Sequence, residues 1–375
     1  MTTFDQLNKD VNNNELESSK FLTFADVPSG LLEAIMSYLS YKDSIRASAV
    51  CKAWRKAAVA VRVAEKYPWV VSFPKRGDSV YLFDPLERKM YTLNLPEIAG
   101  TNVCCSKDGW LLMRRSSFVD LFFFNPYTRE LISLPKCELS FQAIAFSSAP
   151  TSGTCVVVAL RPVRRDAIAI SIWNLGACEW VAKEFTCSLG FDPYMHSNLL
   201  YANDHFYCFD LGGVLLSFDP ASSTVNCESW DEHRCPYLHN DEWLGLPKRI
   251  YLVEQRGELF LMYTCGNERP MVYKLVSSKW EEISSAAALN GLTIFASLYS
   301  SETRVDVPVM RNRVYFPRYG LHNNQCVSYS FDQGRFYPRK PLLKPINLWG
   351  MQPELCPLQS IWIEPPSKTF LDGLM

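Results

Sequence analysis

Cys227, His233, Cys235 and His239 fall within one stretch and are of the residue types that hold zinc. Thiolate and neutral imidazole are preferred zinc donors, and a structural site closes a tetrahedron with four of them. The gaps of six, two and four include no Cys-x-x-Cys knuckle, so the four read as incidental ligands in a polar loop. Carboxylates offer a second chemistry. Asp231, Glu232, Asp241, Glu242, Glu281 and Glu282 are candidates for the acid pair that glycoside hydrolysis places across a sugar. Nothing in the sequence brings two of them together, and charged pairs in loops are ordinarily solvated surface. Cys104 and Cys105 are adjacent, so in a strand they point to opposite faces, one to a core and one to an edge. Arg161, Arg164 and Arg165 form one basic turn, and Arg311, Arg313 and Arg318 another. Either suits an acidic partner, but a solvated hairpin tip is the default for such a run. A Gly-rich phosphate loop, a Gly-x-Ser-x-Gly elbow and a His-Glu-x-x-His helix are missing. No catalytic residue, metal or cofactor is expected.

The elements that position these residues change character near residue 67. Over the 375 residues, 48% hydrophobic and 21% charged is a globular balance. A net charge of −1 speaks against a polybasic nucleic-acid surface, and nucleic acid is not an expected partner. Thirteen cysteines, an odd number without regular spacing, read as reduced, mostly buried thiols with no disulfide required. Residues 1–22 are polar and read as a disordered tail; Met1 to Lys20 has no apolar core, so no signal peptide is expected. The uncharged run from Phe141 to Leu160 is broken by Ser, Pro, Thr and Gly and reads as two strands and a turn. No membrane association is expected, and the compartment is cytoplasmic, nuclear or both.

Residues 23–66 read as a small helical domain. A helix begins after Pro28-Ser29, with Leu31, Leu32, Ile35, Met36 and Leu39 on one broad apolar face. A short second helix follows Lys42-Asp43 with Ile45 and Ala49 inward, and a third carries Val50, Cys51, Trp54 and Ala58. So small a core leaves apolar surface over, to be covered either by the rest of the chain or by another protein. The residues themselves carry a resemblance. The run Phe24-Ala25-Asp26-Val27-Pro28-Ser29-Gly30-Leu31-Leu32, continuing through Ile35 and Leu39 to Val50-Cys51-Lys52-Ala53-Trp54, resembles an F-box over about residues 24–60. Ser29-Gly30 departs mildly from the polar or acidic pair usual there.

Residues 67–364 repeat. An aromatic strand ending in Asp or Asn recurs at Tyr81-Leu82-Phe83-Asp84-Pro85 and Phe122-Phe123-Phe124-Asn125-Pro126. Fainter copies stand at Ile172-Trp173-Asn174, Leu216-Ser217-Phe218-Asp219-Pro220, Val272-Tyr273-Lys274 and Tyr329-Ser330-Phe331-Asp332. The mean period is about 50, the length of a kelch repeat, and Trp180, Trp230 and Trp280 stand 50 apart. Strands before each copy, such as Trp110–Arg114 and His205–Phe209, make about four per unit, as in a propeller blade. The fold class is therefore a small all-α head followed by an all-β propeller of six blades; a β-sandwich with a long insert is the alternative. Unit one lacks a strand before Trp69, and Ser360-Ile361-Trp362-Ile363 is expected to fill that place and close the ring. Residues 365–375 read as a C-terminal tail.

Through Gly109-Trp110-Leu111-Leu112, Tyr251-Leu252-Val253-Glu254 with Gly257-Glu258-Leu259, and Val314-Tyr315-Phe316-Pro317, the body is similar to that of plant F-box/kelch-repeat proteins, although the kelch glycine doublet occurs only at Gly212-Gly213. The resemblance implies a non-catalytic substrate receptor of a Skp–cullin–F-box ubiquitin ligase. Its head would bind a Skp-type adaptor, and through it a cullin scaffold, by Pro28, Leu31, Leu32, Ile35, Leu39, Ile45, Val50 and Cys51, with Trp54 holding the head together. The propeller would bind a target protein whose identity the sequence does not give. A propeller enzyme such as a glycosidase, or a non-degradative F-box adaptor, are the alternatives.

Overall fold

The computed structural model describes residues 27–38, 46–62, 67–73, 79–115, 120–137, 140–164, 166–187, 197–210, 212–229, 248–265, 268–307, 309–317, 326–337, 360–367, 370–371 and 373. The chain divides into two compact units, Met1–Ala64 and Glu65–Met375.

The first unit contains α1 (Ser29–Tyr38) and α2 (Lys52–Arg62). The Pro28 carbonyl accepts the Leu31 and Leu32 amides at 3.0 Å each, which seats the first turn. Leu32 and Met36, one helical turn apart, pack on Ala57 and Ala58 of α2, with Val27, Ala47, Ala53 and Trp54 around them. The third helix of the sequence reading starts later than expected. Val50 and Cys51 precede it, and the Cys51 carbonyl accepts the Arg55 amide at 2.9 Å. Ala49, expected inward, is exposed, and Ala47 takes that place.

The second unit is a six-bladed propeller. Blade 1 joins β1 (Trp69–Ser72), β2 (Ser79–Phe83) and β3 (Met90–Asn94) to β25 (Ser360–Ile363) in the order β25-β1-β2-β3. Blade 2 is β4 (Asn102–Lys107), β5 (Trp110–Arg114), β6 (Leu121–Phe124) and β7 (Leu131–Ser133). Blade 3 is β8 (Ala143–Phe146), β9 (Val156–Arg164), β10 (Ala167–Asn174) and β11 (Val181–Thr186). Blade 4 is β12 (Leu200–Ala202), β13 (His205–Phe209), β14 (Val214–Asp219) and β15 (Thr224–Ser229). Blade 5 is β16 (Lys248–Gln255), β17 (Glu258–Cys265), β18 (Met271–Val276) and β19 (Lys279–Glu282). The expected closure is present: Trp69 to Ser72 pair antiparallel with Ile363 to Ser360. The uncharged run at Phe141 to Leu160 is β8, a turn and the start of β9, and no helix among the described residues is long and apolar enough to cross a membrane.

Blade 6 departs from the expected four strands. It has five, in the order β21 (Glu302–Val305), β20 (Leu292–Phe295), β22 (Arg313–Phe316), β23 (Val327–Ser330) and β24 (Arg335–Tyr337). β20 turns back into β21 antiparallel and pairs with β22 parallel, so a hairpin occupies the inner end of the sheet.

Strand alternation explains why a ring forms. Successive side chains point to opposite faces, and each blade face is buried against a different neighbour. In β5, Leu111 and Met113 join the core between blades 1 and 2, whereas Trp110 and Leu112 join the core between blades 2 and 3. Further cores lie between blades 3 and 4, 4 and 5, and 5 and 6. The last, between blades 6 and 1, contains Phe295, Val307, Met310 and Tyr315 with Val70, Phe83 and Trp362. Central strands buried on both faces need apolar residues at every position, hence Leu121-Phe122-Phe123-Phe124.

The Asx-Pro signal has a local cause. Asp84 accepts the Leu86 and Glu87 amides at 2.9 and 3.0 Å, and Asn125 accepts the Tyr127 and Thr128 amides at 2.9 and 3.2 Å. Asp219 accepts the Ala221 amide at 2.8 Å. Four residues on, Arg88, Arg129 and Ser223 adopt positive φ of 55°, 61° and 55°, which brings the chain back as the outer strand. The fainter copy at Lys274 is not a turn. β18 runs on to Val276, and Ser277 and Ser278 make the turn with φ of 47° and 62°. Two successive positive φ values match the twist of a tight hairpin, so no Asx-Pro signal is needed there.

The C-terminal stretch is not wholly a tail. Phe370 and Leu371 pack on the core between blades 1 and 2, with Phe370 edge-on to Tyr127 at 5.1 Å.

Candidate functional site

The expected docking face of the head divides along α1. Residues 100° apart on a helix cannot share one narrow stripe, whereas i and i+4 can. Leu32 and Met36 therefore form the inward stripe, at 0% and 1% exposure. Leu31 and Ile35 form the adjacent outward stripe, at 56% and 36%. Leu32, placed by the sequence on the docking face, is corrected to the head's own core, because α2 offers two alanines against which a branched side chain fits. Val50 is 59% exposed, Pro28 is exposed and Cys51 is half-buried. Trp54 is half-buried against the head core. Leu39 and Ile45 lie outside the described residues. The described outer surface thus offers Leu31, Ile35 and Val50, beside the exposed Lys52, Arg55 and Lys56.

On the propeller, the candidates for chemistry that are described do not form one cluster. Cys227 lies on β15, while His233, Cys235 and His239 lie outside the described residues. Among the described residues no three His, Cys, Asp or Glu converge as for a metal. Glu281 and Glu282 are exposed on the outer strand β19, and Glu282 meets Arg269 at 3.0 Å. Asp231, Glu232, Asp241 and Glu242 lie outside the described residues. Cys104 and Cys105 are both buried; a register shift between Val103 and Cys105 turns both into the core between blades 2 and 3, and neither faces an edge. Burial pushes the Cys104 thiol up to about 12.

The basic turns are engaged. Arg164 bridges Asp166 at 2.9 Å and Glu184 at 3.0 Å, and Arg311 bridges Asp306 at 2.8 Å. The Arg313 guanidinium lies 5.1 Å from the centre of the Tyr337 ring, and Arg161 is half-buried on β9. Arg165 and Arg318 lie outside the described residues.

Sequence reasoning missed the polar groups where the inner strands meet. The inner strands of neighbouring blades lie against one another, β25 on β4, β4 on β8 and β16 on β21. Thr303 donates to the Glu254 carbonyl at 2.6 Å, Tyr127 donates to the Glu364 carbonyl at 2.6 Å, and Lys107 sits 5.2 Å from the Tyr201 ring centre. Burial raises the Glu302 carboxyl above its ordinary range, and Arg304, 3.0 Å away, opposes the shift. Thr303, Tyr127 and Lys107 each reach a residue of another blade and so tie blade to blade, whereas Arg304 pairs with Glu302 within β21. No local signal marks the inter-blade contacts, because Glu254, Glu364 and Tyr201 stand far from Thr303, Tyr127 and Lys107 in sequence.

Comparison with known proteins agrees with this architecture. Residues 24–62 match the F-box-like family, and residues 82–337 match the KIB1-4 beta-propeller family. The chain is 49% identical over 352 residues to F-box protein At4g00893 of Arabidopsis thaliana, covering 93% of this chain and 88% of that one. It is 37% identical to F-box/kelch-repeat protein At1g57790 of the same plant, covering 95% and 98%. It is 34% identical to F-box protein At3g56470, also of Arabidopsis thaliana, covering 93% and 91%.

Proposed function

The chain belongs to the plant F-box proteins that carry a KIB1-4-type β-propeller, and we propose that it is the target-recognition subunit of a Skp–cullin–F-box ubiquitin ligase. The observation that carries the proposal is the outward stripe of the head. Leu31, Ile35 and Val50 are exposed on a unit whose core is already filled by Leu32, Met36, Ala57 and Ala58. An apolar side chain gains about 1.5–3 kcal/mol when fully buried, and a specific interface takes roughly 800 Å² from each partner. A helix face with the Val50 turn beside it suits a Skp-type adaptor at that scale. The propeller then holds a protein target, and the chain needs no catalytic group. Rate enhancement comes from holding the target near the charged ubiquitin carrier at high effective concentration.

Co-expression of the full chain with a Skp-type adaptor tests this reading. A stable complex on size exclusion, which recruits a cullin when one is added, is the expected outcome. A chain that elutes alone while its propeller melts cooperatively overturns it.

A further inference from the structure

Cys187 follows the last residue of β11, and its amide donates to the Asp166 carbonyl at 2.7 Å. Cys227 sits in the middle of β15, in register opposite Leu216. The two come from different blades and are 40 residues apart in sequence, yet their sulfurs are 2.6 Å apart. Carbon atoms at rest stay roughly 3.5–4.0 Å apart and sulfur is larger, so this approach is closer than two inert thiols take up. Backbone ladders fix both ends, and both side chains belong to the core between blades 3 and 4. Cys187 is buried there at 1% exposure, whereas Cys227 is half-buried and can be reached from outside.

We propose that Cys187 and Cys227 are an oxidisable pair that closes into an inter-blade disulfide in the presence of a small-molecule disulfide such as oxidised glutathione. The Cys227 sulfur attacks the oxidant, forming a mixed disulfide and releasing one glutathione thiol. The Cys187 sulfur then attacks Cys227, breaks the mixed disulfide and releases the second. Two protein S–H groups are lost and two glutathione S–H groups appear, so the protein pair is oxidised and the glutathione disulfide is reduced. The Cys187 sulfur, and then burial, hold the Cys227 thiol above its ordinary range, so the first exchange is slow. The product ties β15, the outer edge strand of blade 4, to the end of blade 3. It closes a chain loop that contains all of β12, β13 and β14, so it restricts the unfolded state and raises the thermal midpoint.

The test is a peptide map of the full chain. The protein is incubated with excess oxidised glutathione, its remaining thiols are alkylated, and it is digested without reductant. A peptide joining Cys187 to Cys227 is expected, together with a thermal midpoint above that of the reduced protein. Cys178, exposed, serves as the internal control that carries a glutathione adduct. Cys187→Ser and Cys227→Ser should each abolish the joined peptide and the rise in midpoint while melting cooperatively in reductant. If both cysteines of the unmodified chain are recovered alkylated or separately glutathionylated while Cys178 is modified, the proposal is wrong. It is equally wrong if either is joined to a different cysteine.

Discussion

Trp362 donates its indole N–H to the Ala296 carbonyl at 3.0 Å. Trp362 belongs to β25, which completes the sheet of blade 1, while Ala296 follows β20 of blade 6. One side chain therefore joins the two ends of the ring. Its ring also meets Phe295 edge-on at 5.0 Å, and it is fully buried. Trp362→Ala removes both packing and hydrogen bond and should cost about 3–5 kcal/mol. Trp362→Phe keeps most of the volume and chiefly loses the bond, a net loss of about 0.5–1.5 kcal/mol. Urea unfolding monitored by fluorescence ranks the variants. Equal costs for the two would show that closure does not depend on this packing.

Gly291 and Gly109 separate backbone strain from steric overlap. Their φ values are +81° and +76°, so alanine at either site meets the left-handed penalty, about 1–2 kcal/mol. At Gly109 an added Cβ meets nothing within 4 Å, whereas at Gly291 it falls 2.3 Å from Asp306 Oδ1. That oxygen is held by Arg311 at 2.8 Å, in an ion pair whose side chains are 42% and 63% exposed. Such exposed pairs are worth about 0–1 kcal/mol. Gly291→Ala should accordingly exceed Gly109→Ala by less than about 1 kcal/mol. The excess should vanish when Asp306→Ala is introduced as well. An excess that survives in the double variant would place the conflict in the backbone instead.

Asp84 gives a pH test. Its buried carboxylate accepts two backbone amides and the Tyr67 hydroxyl at 3.1 and 3.2 Å. Burial, the largest influence, raises its pKa above the ordinary carboxylate range. The folded protein thus holds this proton more tightly than the unfolded chain does. Its contribution to stability is fully present below the ordinary carboxylate pKa and is lost as pH rises through the folded value. Asp84→Asn keeps an acceptor for the turn but does not titrate. Its stability relative to the unmodified protein should therefore rise across that window and then level off. Asp84→Ala leaves the turn amides and Tyr67 without an acceptor and should cost about 1–3 kcal/mol. Urea midpoints taken from acid to neutral pH decide the sign, and an Asn advantage that shrinks with rising pH contradicts the reading.

The propeller was legible because its signals are local. Asp84-Pro85 and Asn125-Pro126 make their turns from their own side chains, and Trp69 without an inner partner pointed to Ser360–Ile363. The parallel pairing of β20 with β22 was not legible, since the hairpin that produces it has no Asx-Pro marker and interrupts the period. The Cys187–Cys227 approach was hidden for a different reason: it depends on how two outer strands meet across a blade boundary. On the head, the apolar pattern placed Leu31 and Leu32 together, and only the position of α2 separates them. Leu31, Leu32, Ile35 and Met36 on the ten residues of α1 already fill more than one face, and periodicity alone does not say which part another protein would cover.

That separation gives the sharpest test of the adaptor proposal. Leu32→Asp puts an unpaired charge into the head core, where Leu32 has no exposure, and should unfold α1 and α2. Leu31→Asp with Ile35→Asp changes only side chains that are already exposed. Each leucine-to-aspartate-type change costs the helix roughly 0.5 kcal/mol in propensity, which the packed Leu32 and Met36 stripe can withstand. In an adaptor complex the same two residues would lose burial worth about 1–2 kcal/mol each, on the order of a tenfold loss of affinity or more per residue. Unpaired carboxylates in an apolar contact deepen that loss. Hydrogen exchange of the α1 and α2 amides in the full chain distinguishes the two cases. The double variant should keep its protection and lose the adaptor; Leu32→Asp should lose both. A double variant that keeps its helices and still binds with unchanged affinity rules out the outward stripe as the docking surface.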